Sequence, residues 1–256
     1  MTEFIVWGAG ELGGRVAELA ANDGHRVRAF TKSAQRHEAL KSNGAYAELG
    51  TPGDLPDESR LLVSISGNAN LKTAIETIRT LRPPNRVVLT SSTGFYQGRA
   101  GLIEPSTPSG TTERAKQIAD VESMFLEWAG AAGVILRLGG LYRAGRGPLS
   151  ALRKRGAPPL GPPDKRIALI HYDDAAQAAY RALLMEEADS PYIVVTQPLP
   201  TRQEFYTAAC VMLGLDLPSF GRPLNQAAID YNTDTTQRDL LPEPMHPHWQ
   251  AALLPQ

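Results

Sequence analysis

The stretch Phe4-Ile5-Val6-Trp7-Gly8-Ala9-Gly10-Glu11-Leu12-Gly13 constrains the fold more than any other part of this chain. An apolar run ends in glycines spaced G-x-G-x-x-G, and an amphipathic helical pattern follows. Strand, glycines, helix is the order needed to lay a backbone against a pyrophosphate. Gly8 permits the tight turn, Gly10 lets the backbone approach a phosphate, and Gly13 lets the helix pack closely on the strand. The helix start, at Glu11 and Leu12, then offers free amides and a positive dipole end to the phosphates.

The alternation continues along the first half. Leu12, Val16, Leu19 and Ala20 share a helical face. Strands are predicted at 25–30, 45–49, 61–65, 86–90 and 134–138. Helices are predicted at 34–43, 71–81 and from Thr111 through Trp128, where Ile118, Val121, Phe125 and Trp128 mark one face. Strands without polar alternation, each followed by a helix, imply an α/β fold with a doubly wound parallel sheet of the Rossmann type, in strand order 3-2-1-4-5-6. Ligands of such sheets sit at the carboxyl ends of the strands, so Ser66, just past the fourth strand, is expected to touch the cofactor.

From residue 143 the composition turns to loops rich in glycine and proline. A helix at 175–185, a strand at 192–195 and a helix at 202–213 follow, and a proline-containing tail is expected to be irregular. The division reads as a dinucleotide-binding core at 1–142 and a smaller substrate-binding part at 143–256, with elements returning to the core.

Strand two ends in Thr31-Lys32-Ser33, eighteen residues and more beyond Gly13, with Arg36 soon after. An acid at this point would hold both ribose hydroxyls of NAD. A hydroxyl beside cations suits a 2′-phosphate instead, which favours NADP, with NAD kept possible.

The 256 residues, 42% hydrophobic and 21% charged, carry a net charge of −1, which gives no electrostatic case for nucleic acid or an anionic membrane. No apolar run approaches membrane-spanning length, and the first strand at residue 4 leaves no room for a leader, so a cytoplasmic protein is expected. One cysteine, Cys210 in an apolar setting, excludes an internal disulfide and a cysteine-based metal site, and no metal is expected.

Three further segments carry a resemblance. Arg86-Val87-Val88-Leu89-Thr90-Ser91-Ser92-Thr93-Gly94-Phe95-Tyr96-Gln97, Leu136-Arg137-Leu138-Gly139-Gly140-Leu141-Tyr142 and Ile170-His171-Tyr172-Asp173-Asp174 resemble, in order, motifs of the extended short-chain dehydrogenase/reductases, the NAD-dependent epimerase/dehydratase-like enzymes. The resemblance implies a serine or threonine that binds the substrate oxygen, a tyrosine that exchanges the proton, and a lysine four residues later that holds the nicotinamide ribose. Ser92 falls on the first position and Lys116 on the last, but Thr112 stands where the tyrosine belongs. A phenol titrates near pH ~10 and can be brought toward working range, whereas an aliphatic hydroxyl is a far weaker acid. The resemblance is therefore to atypical members. Tyr96 and Tyr142 are expected at the same mouth, Tyr96 also reading as a packing residue, and Arg146 is expected to meet a substrate anion. Arg153, Lys154 and Arg155 read as a solvated face. His171 reads as structural, and Asp173 as the cap of the helix that follows.

Two functions stay open: an NAD(P)-dependent oxidoreductase or epimerase-like enzyme on a small polar metabolite, and a catalytically silent NADP(H)-binding sensor or scaffold. A reductase of flavin or quinone type is a third, weaker reading. Pairing into a homodimer through the Thr112–Trp128 segment is a further expectation.

Overall fold

The computed structural model describes residues 2–148, 160–224 and 227–250. Arg153, Lys154 and Arg155 lie outside them. The elements run β1 (Glu3–Trp7), α1 (Glu11–Asn22), β2 (Arg26–Thr31), α2 (His37–Ser42), β3 (Tyr46–Leu49), β4 (Arg60–Val63), α3 (Asn68–Ile78), β5 (Arg86–Ser92), β6 (Gly101–Ile103), α4 (Glu113–Ala129), β7 (Gly133–Leu138), β8 (Gly140–Tyr142), β9 (Leu169–His171), α5 (Tyr172–Leu184), β10 (Tyr192–Val194), α6 (Arg202–Leu213), β11 (Ile229–Tyr231) and α7 (Asp234–Asp239).

The central sheet is parallel, with seven strands in the order β10-β7-β5-β4-β1-β2-β3. Its first six positions read from β3 follow the expected 3-2-1-4-5-6 order, and β10 adds a seventh strand beside β7. β1 sits in the middle, pairing with β2 through Phe4↔Val27 and with β4 through Phe4↔Arg60. Successive side chains of a strand face opposite sides. Phe4 and Val6 therefore enter one core with Leu12, Val16 and Ala20 of α1 and Ala175, Ala179 and Leu183 of α5. Ile5 and Trp7 enter the other, with Leu71 and Ile75 of α3 and Val121 and Phe125 of α4. Burial on both faces is why these strands carry continuous apolar runs.

Two details depart from the expected pattern. The tail contains β11, which pairs parallel with β6 through Tyr231↔Ile103, and α7. Three-residue strands have too short a period to read from sequence. And α5 begins at Tyr172, not Ala175, because His171 is its cap: the Nδ1 of His171 accepts the Asp173 amide hydrogen at 3.2 Å. Asp173 is thus a first-turn residue rather than the cap.

A buried ion pair braces the carboxyl end of β5. Arg137 on β7 and Glu122 on α4 are 7% and 5% exposed and meet at 2.7 Å, with a second arm through Arg137 Nε at 3.1 Å. Ser91 donates to Glu122 Oε1 at 2.5 Å, and the guanidinium lies 3.4 Å from the Phe95 ring centre. Removing one partner of such a pair leaves the other charge buried, at a cost of about 3–5 kcal/mol. Glu122→Ala is therefore expected to lose that order of stability in urea denaturation. A loss below about 1 kcal/mol would show that water reaches Arg137.

Candidate functional site

The three glycines divide their work. Gly8 has φ +95°, and its amide and that of Ala9 donate to Phe30 O at 3.0 and 2.8 Å, pinning the turn to the end of β2. A Cβ at Gly8 would lie 2.2 Å from Ser64 O, and one at Gly13 would lie 2.4 Å from Gly8 O. Both positions exclude side chains for packing reasons. A Cβ at Gly10 would meet only Gly8 O, at 3.9 Å, so the protein itself leaves room there. α1 starts at Glu11 with no side-chain cap, and its first-turn amides have no intrahelical acceptor.

These amides look onto a cleft of about 690 Å³ at the carboxyl ends of β1, β4 and β5. Of the residues singled out in the sequence, Gly8, Gly10, Glu11, Leu12, Ser66, Ser92 and Arg146 line it. Gly13 lies behind it, under α1. Arg36 lines a shallower pocket of about 280 Å³ on the other side of Gly10. Thr31 and Lys32 line neither. Thr31 is buried and its hydroxyl accepts from the Ser33 amide at 3.2 Å, while Lys32 is exposed.

Glu11 places a carboxylate where a phosphate would be attracted, and arginines surround it. Arg143 Nε donates at 2.9 Å and Arg15 Nη2 at 3.3 Å, and Arg36 Nη2 lies at 4.0 Å. Burial works to raise the Glu11 pKa, but the hydrogen bonds and charges of Arg143 and Arg15 outweigh it and hold the carboxyl below its usual range. Counting Asp173, which shares Arg15, two carboxylates face three arginines, and the mouth of the glycine loop keeps a net positive charge.

Ser92 ends β5. Its Oγ accepts from the Gly94 amide at 3.1 Å, so its own hydroxyl hydrogen is free for another acceptor. Thr112 is the N-cap of α4, accepting from Ala115 N at 3.2 Å. Lys116 is exposed and lines neither this cleft nor its neighbour. The face of α4 that borders the cleft is Arg114, Gln117, Ile118 and Val121. The structure therefore brings Ser92 together with Arg114, and not with Lys116. The spacing of four puts Thr112 and Lys116 on one face, but that face is turned two residues away from the cleft. The phase was visible in the sequence: Arg114 stands four residues before Ile118 on the apolar stripe.

Neither tyrosine lines this cleft, although Tyr96 borders the neighbouring chamber beyond Ser92. Tyr96 is fully buried, donating to Pro105 O at 3.1 Å and accepting from Arg137 Nη1 at 2.5 Å. Burial raises its pKa against the opposing pull of Arg137. Tyr142 is fully buried too, edge-on to His171 with ring centres 5.5 Å apart, and lines neither cleft; burial and the nearby Asp174 push its pKa up. Arg146 does reach the cleft, its Nε donating to the Tyr172 hydroxyl at 3.2 Å.

Beyond Ser92 and Arg114 a second chamber of about 620 Å³ opens between the β5 loop and the segments before α6 and around β11. Arg99, Arg114, Lys165, Arg166 and Arg202 line it, and no carboxylate does among the described residues. Sequence reading gave no hint of this, because its cations come from four separate segments.

On the far side of α1, His171 Nδ1, Asp173 Oδ2 and His246 Nε2 cluster at 3.2–3.3 Å around the carboxylate, which also pairs with Arg15. The donor atoms of the three lie within 4.8 Å of one another, but the capping bond occupies His171 Nδ1 and Arg15 holds the other carboxylate oxygen of Asp173. Burial, with the neighbouring His246, lowers the His171 pKa to about 4.

Two outcomes follow from this geometry. Gly13→Ala should cost about 1–3 kcal/mol in denaturation through overpacking against Gly8, whereas Gly10→Val should keep the stability and lose dinucleotide binding in calorimetry. A folded Gly10→Val protein of unchanged affinity would remove the glycine loop from the cofactor site. For His171, the folded pKa lies below the ordinary value of about 6.5. Between pH 6.5 and 4 the unfolded chain binds the extra proton, so this contribution is present above pH 6.5 and is lost on acidification toward pH 4. His171→Asn retains a capping acceptor and should flatten the fall in melting temperature over that window; an unchanged slope would assign it to other groups.

No protein-family model matches the chain. It is 28% identical over 141 residues to protein YeeZ of Escherichia coli strain K12, across 55% of this chain and 50% of that protein, so the chain spans about half the length of the curated relatives it matches. A functionally unknown conserved protein from Silicibacter pomeroyi DSS superposes with a TM-score of 0.78 at 22% identity, covering 99% of this chain and 97% of that one. MoeE5, solved with UDP-glucose and NAD, gives 0.75 at 16% identity over 99% and 96%. The UDP-glucuronic acid 4-epimerase of Bacillus cereus, solved with NAD, gives 0.77 at 11% identity over 98% and 96%. These likenesses show that the chain has the same Rossmann-like α/β fold as those structures.

Proposed function

We propose that this protein is an NAD(P)-dependent oxidoreductase or epimerase-like enzyme acting on a small anionic metabolite. The observation that carries the reading is a pair of neighbouring spaces that share Ser92 and Arg114 in their walls: a cleft over the glycine turn, and a chamber lined by five cations and no described carboxylate. The first fits a dinucleotide. Gly10 leaves open space for a pyrophosphate, the uncapped start of α1 supplies amides, and Ser66 and Leu12 border the same cleft. A bound nicotinamide would supply hydride exchange at a substrate carbon.

The remaining chemistry belongs to the chain. Ser92 donates its hydroxyl hydrogen to a substrate oxygen, since the Gly94 amide already uses one of its lone pairs. Arg166 and Arg202, held by Asp230 at 3.5 Å and by Pro162 O at 3.1 Å, present charge to a carboxylate or phosphate. MoeE5 holds UDP-glucose beside NAD in the same fold, which supports an anionic partner for the second chamber. Arg146 closes the mouth over the ribose side, and Lys116 acts in solvent rather than on the cofactor. Pairing of two copies along α4 remains part of the proposal; Leu126 is exposed on that helix, whereas Trp128 is used internally, donating to Leu81 O at 2.8 Å.

For cofactor choice, Arg36 lines the pocket beside Gly10, the exposed Lys32 follows β2, and β2 itself carries no acid. NADP is therefore the preferred partner. Calorimetry with NADPH and NADH, followed by a carbonyl panel read by nicotinamide absorbance, tests the whole reading. Arg36→Ala should weaken NADPH relative to NADH by tenfold or more, the scale of a charge-assisted hydrogen bond of about 1.5–3 kcal/mol. Equal weakening would remove Arg36 from the 2′-phosphate. Tight binding with no turnover on any carbonyl would instead mark a sensor.

A further inference from the structure

We infer that Ser92 and Arg114 form an oxyanion-binding pair at the junction of the two spaces and hold the substrate's reacting oxygen, so that a guanidinium stands in for the missing phenol. This rests on the reading above for the identity of the reaction, but not for the anion binding itself. Ser92 and Arg114 are the described residues that border both the cleft over the glycine turn and the cationic chamber. A molecule that spans the two lies against both residues. They stand on either side of Gly94: a Cβ there would lie 3.3 Å from Ser92 Oγ and 3.4 Å from Arg114 Nε. A side chain at Gly94 would press on both groups, so the glycine lets Ser92 Oγ and Arg114 Nε approach the same point.

The chemistry of the two is complementary. Ser92 offers one O–H, its acceptor side being used by the Gly94 amide. Arg114 has no hydrogen bond or ion pair to any described residue, in contrast to Arg99, Arg166 and Arg202 in the same chamber, which are tied to Ser109 O, Asp230 and Pro162 O. A guanidinium carries five N–H donors and stays charged at every working pH. It accepts no proton and gives none. It binds an oxygen more strongly as negative charge develops there, which is the form of stabilisation that favours a transition state over a ground state. The proton that completes a hydroxyl then comes from water in the chamber. A phenol would do both tasks; this pair does only the electrostatic one, and Thr112, occupied as a helix cap, is not needed for it.

The test uses oxalate as the oxyanion probe, titrated calorimetrically into the intact protein with and without NADP. Oxalate should bind the wild type. Arg114→Gln should weaken it at least tenfold while the NADP affinity stays within twofold, Arg114→Lys should recover part of the loss, and Ser92→Ala should cost a smaller factor. Arg114 is exposed, so its variants are expected to fold, and circular dichroism checks that they do. The inference is overturned if the wild type does not bind oxalate, or if Arg114→Gln binds it as the wild type does. It is also overturned if Arg166→Gln and Arg202→Gln abolish binding that Arg114→Gln leaves intact, because the anion then sits on the far wall. Absence of NADP binding to the wild type would sink the cofactor reading alone; the oxalate titration of the dinucleotide-free protein would still decide Arg114.

Discussion

The seat of α1 on the middle of the sheet sets the position of everything that follows. Gly8 O lies where a side chain at Gly13 would be, and Ser64 O lies where one at Gly8 would be. Two strand ends and a helix start are thus in backbone contact, closer than any side chain permits. That contact aims the α1 amides across the carboxyl ends of β1 and β4, and it leaves Gly10 as the point where an outside group can approach the backbone. A helix one side chain further away would carry its dipole past the cleft. The remaining glycine-loop chemistry, including the arginines gathered on Glu11, is dressing on this geometry.

A second constraint operates at β5. The strand must deliver Ser92 to the junction of two spaces, and the loop after it must turn sharply. Arg137 and Glu122 achieve this from beneath, binding Ser91, Tyr96 and Pro105 O in one network. Buried ion pairs are poor sources of stability, because desolvation offsets most of their attraction. Their use here is positional: every group in the network has fixed partners, so the β5 end has one arrangement. Tyr96, which sequence motifs place near chemistry, is one of those partners, and its hydroxyl is committed to Arg137 and Pro105 O.

The C-terminal half contributes to the core as well as to the chamber. β10 extends the sheet, α5 packs on α1, and the tail is clipped to α5 where the amides of Met245 and His246 donate to the buried carboxylate of Asp174. Through the His246–Asp173 contact and the Arg15 ion pairs to Asp173 and Glu11, this clip connects to the start of α1. The elements that wall the chamber are in this way anchored to the helix that faces the cleft over the glycine turn.

The sequence by itself determined the sheet and its order, the glycine turn and the strand ends that carry ligands. These depend on local facts: continuous apolar strands, helical stripes, and glycines at positions where φ is positive or a Cβ would collide. It also placed Ser92 at the cleft, because the end of β5 can lie nowhere else in this sheet. Only the tertiary structure decided which face of α4 meets the cleft. A spacing of four places Thr112 and Lys116 together without fixing how the helix is rotated, and packing of Ile118, Val121 and Phe125 brings the exposed Arg114, not Lys116, to the edge of the cleft. Tyr142 went to the core for the same reason. The cationic chamber was beyond sequence reading altogether, since Arg99, Lys165, Arg166 and Arg202 are distant along the chain and acquire a common function only when β6, β11 and the segment before α6 are folded against one another.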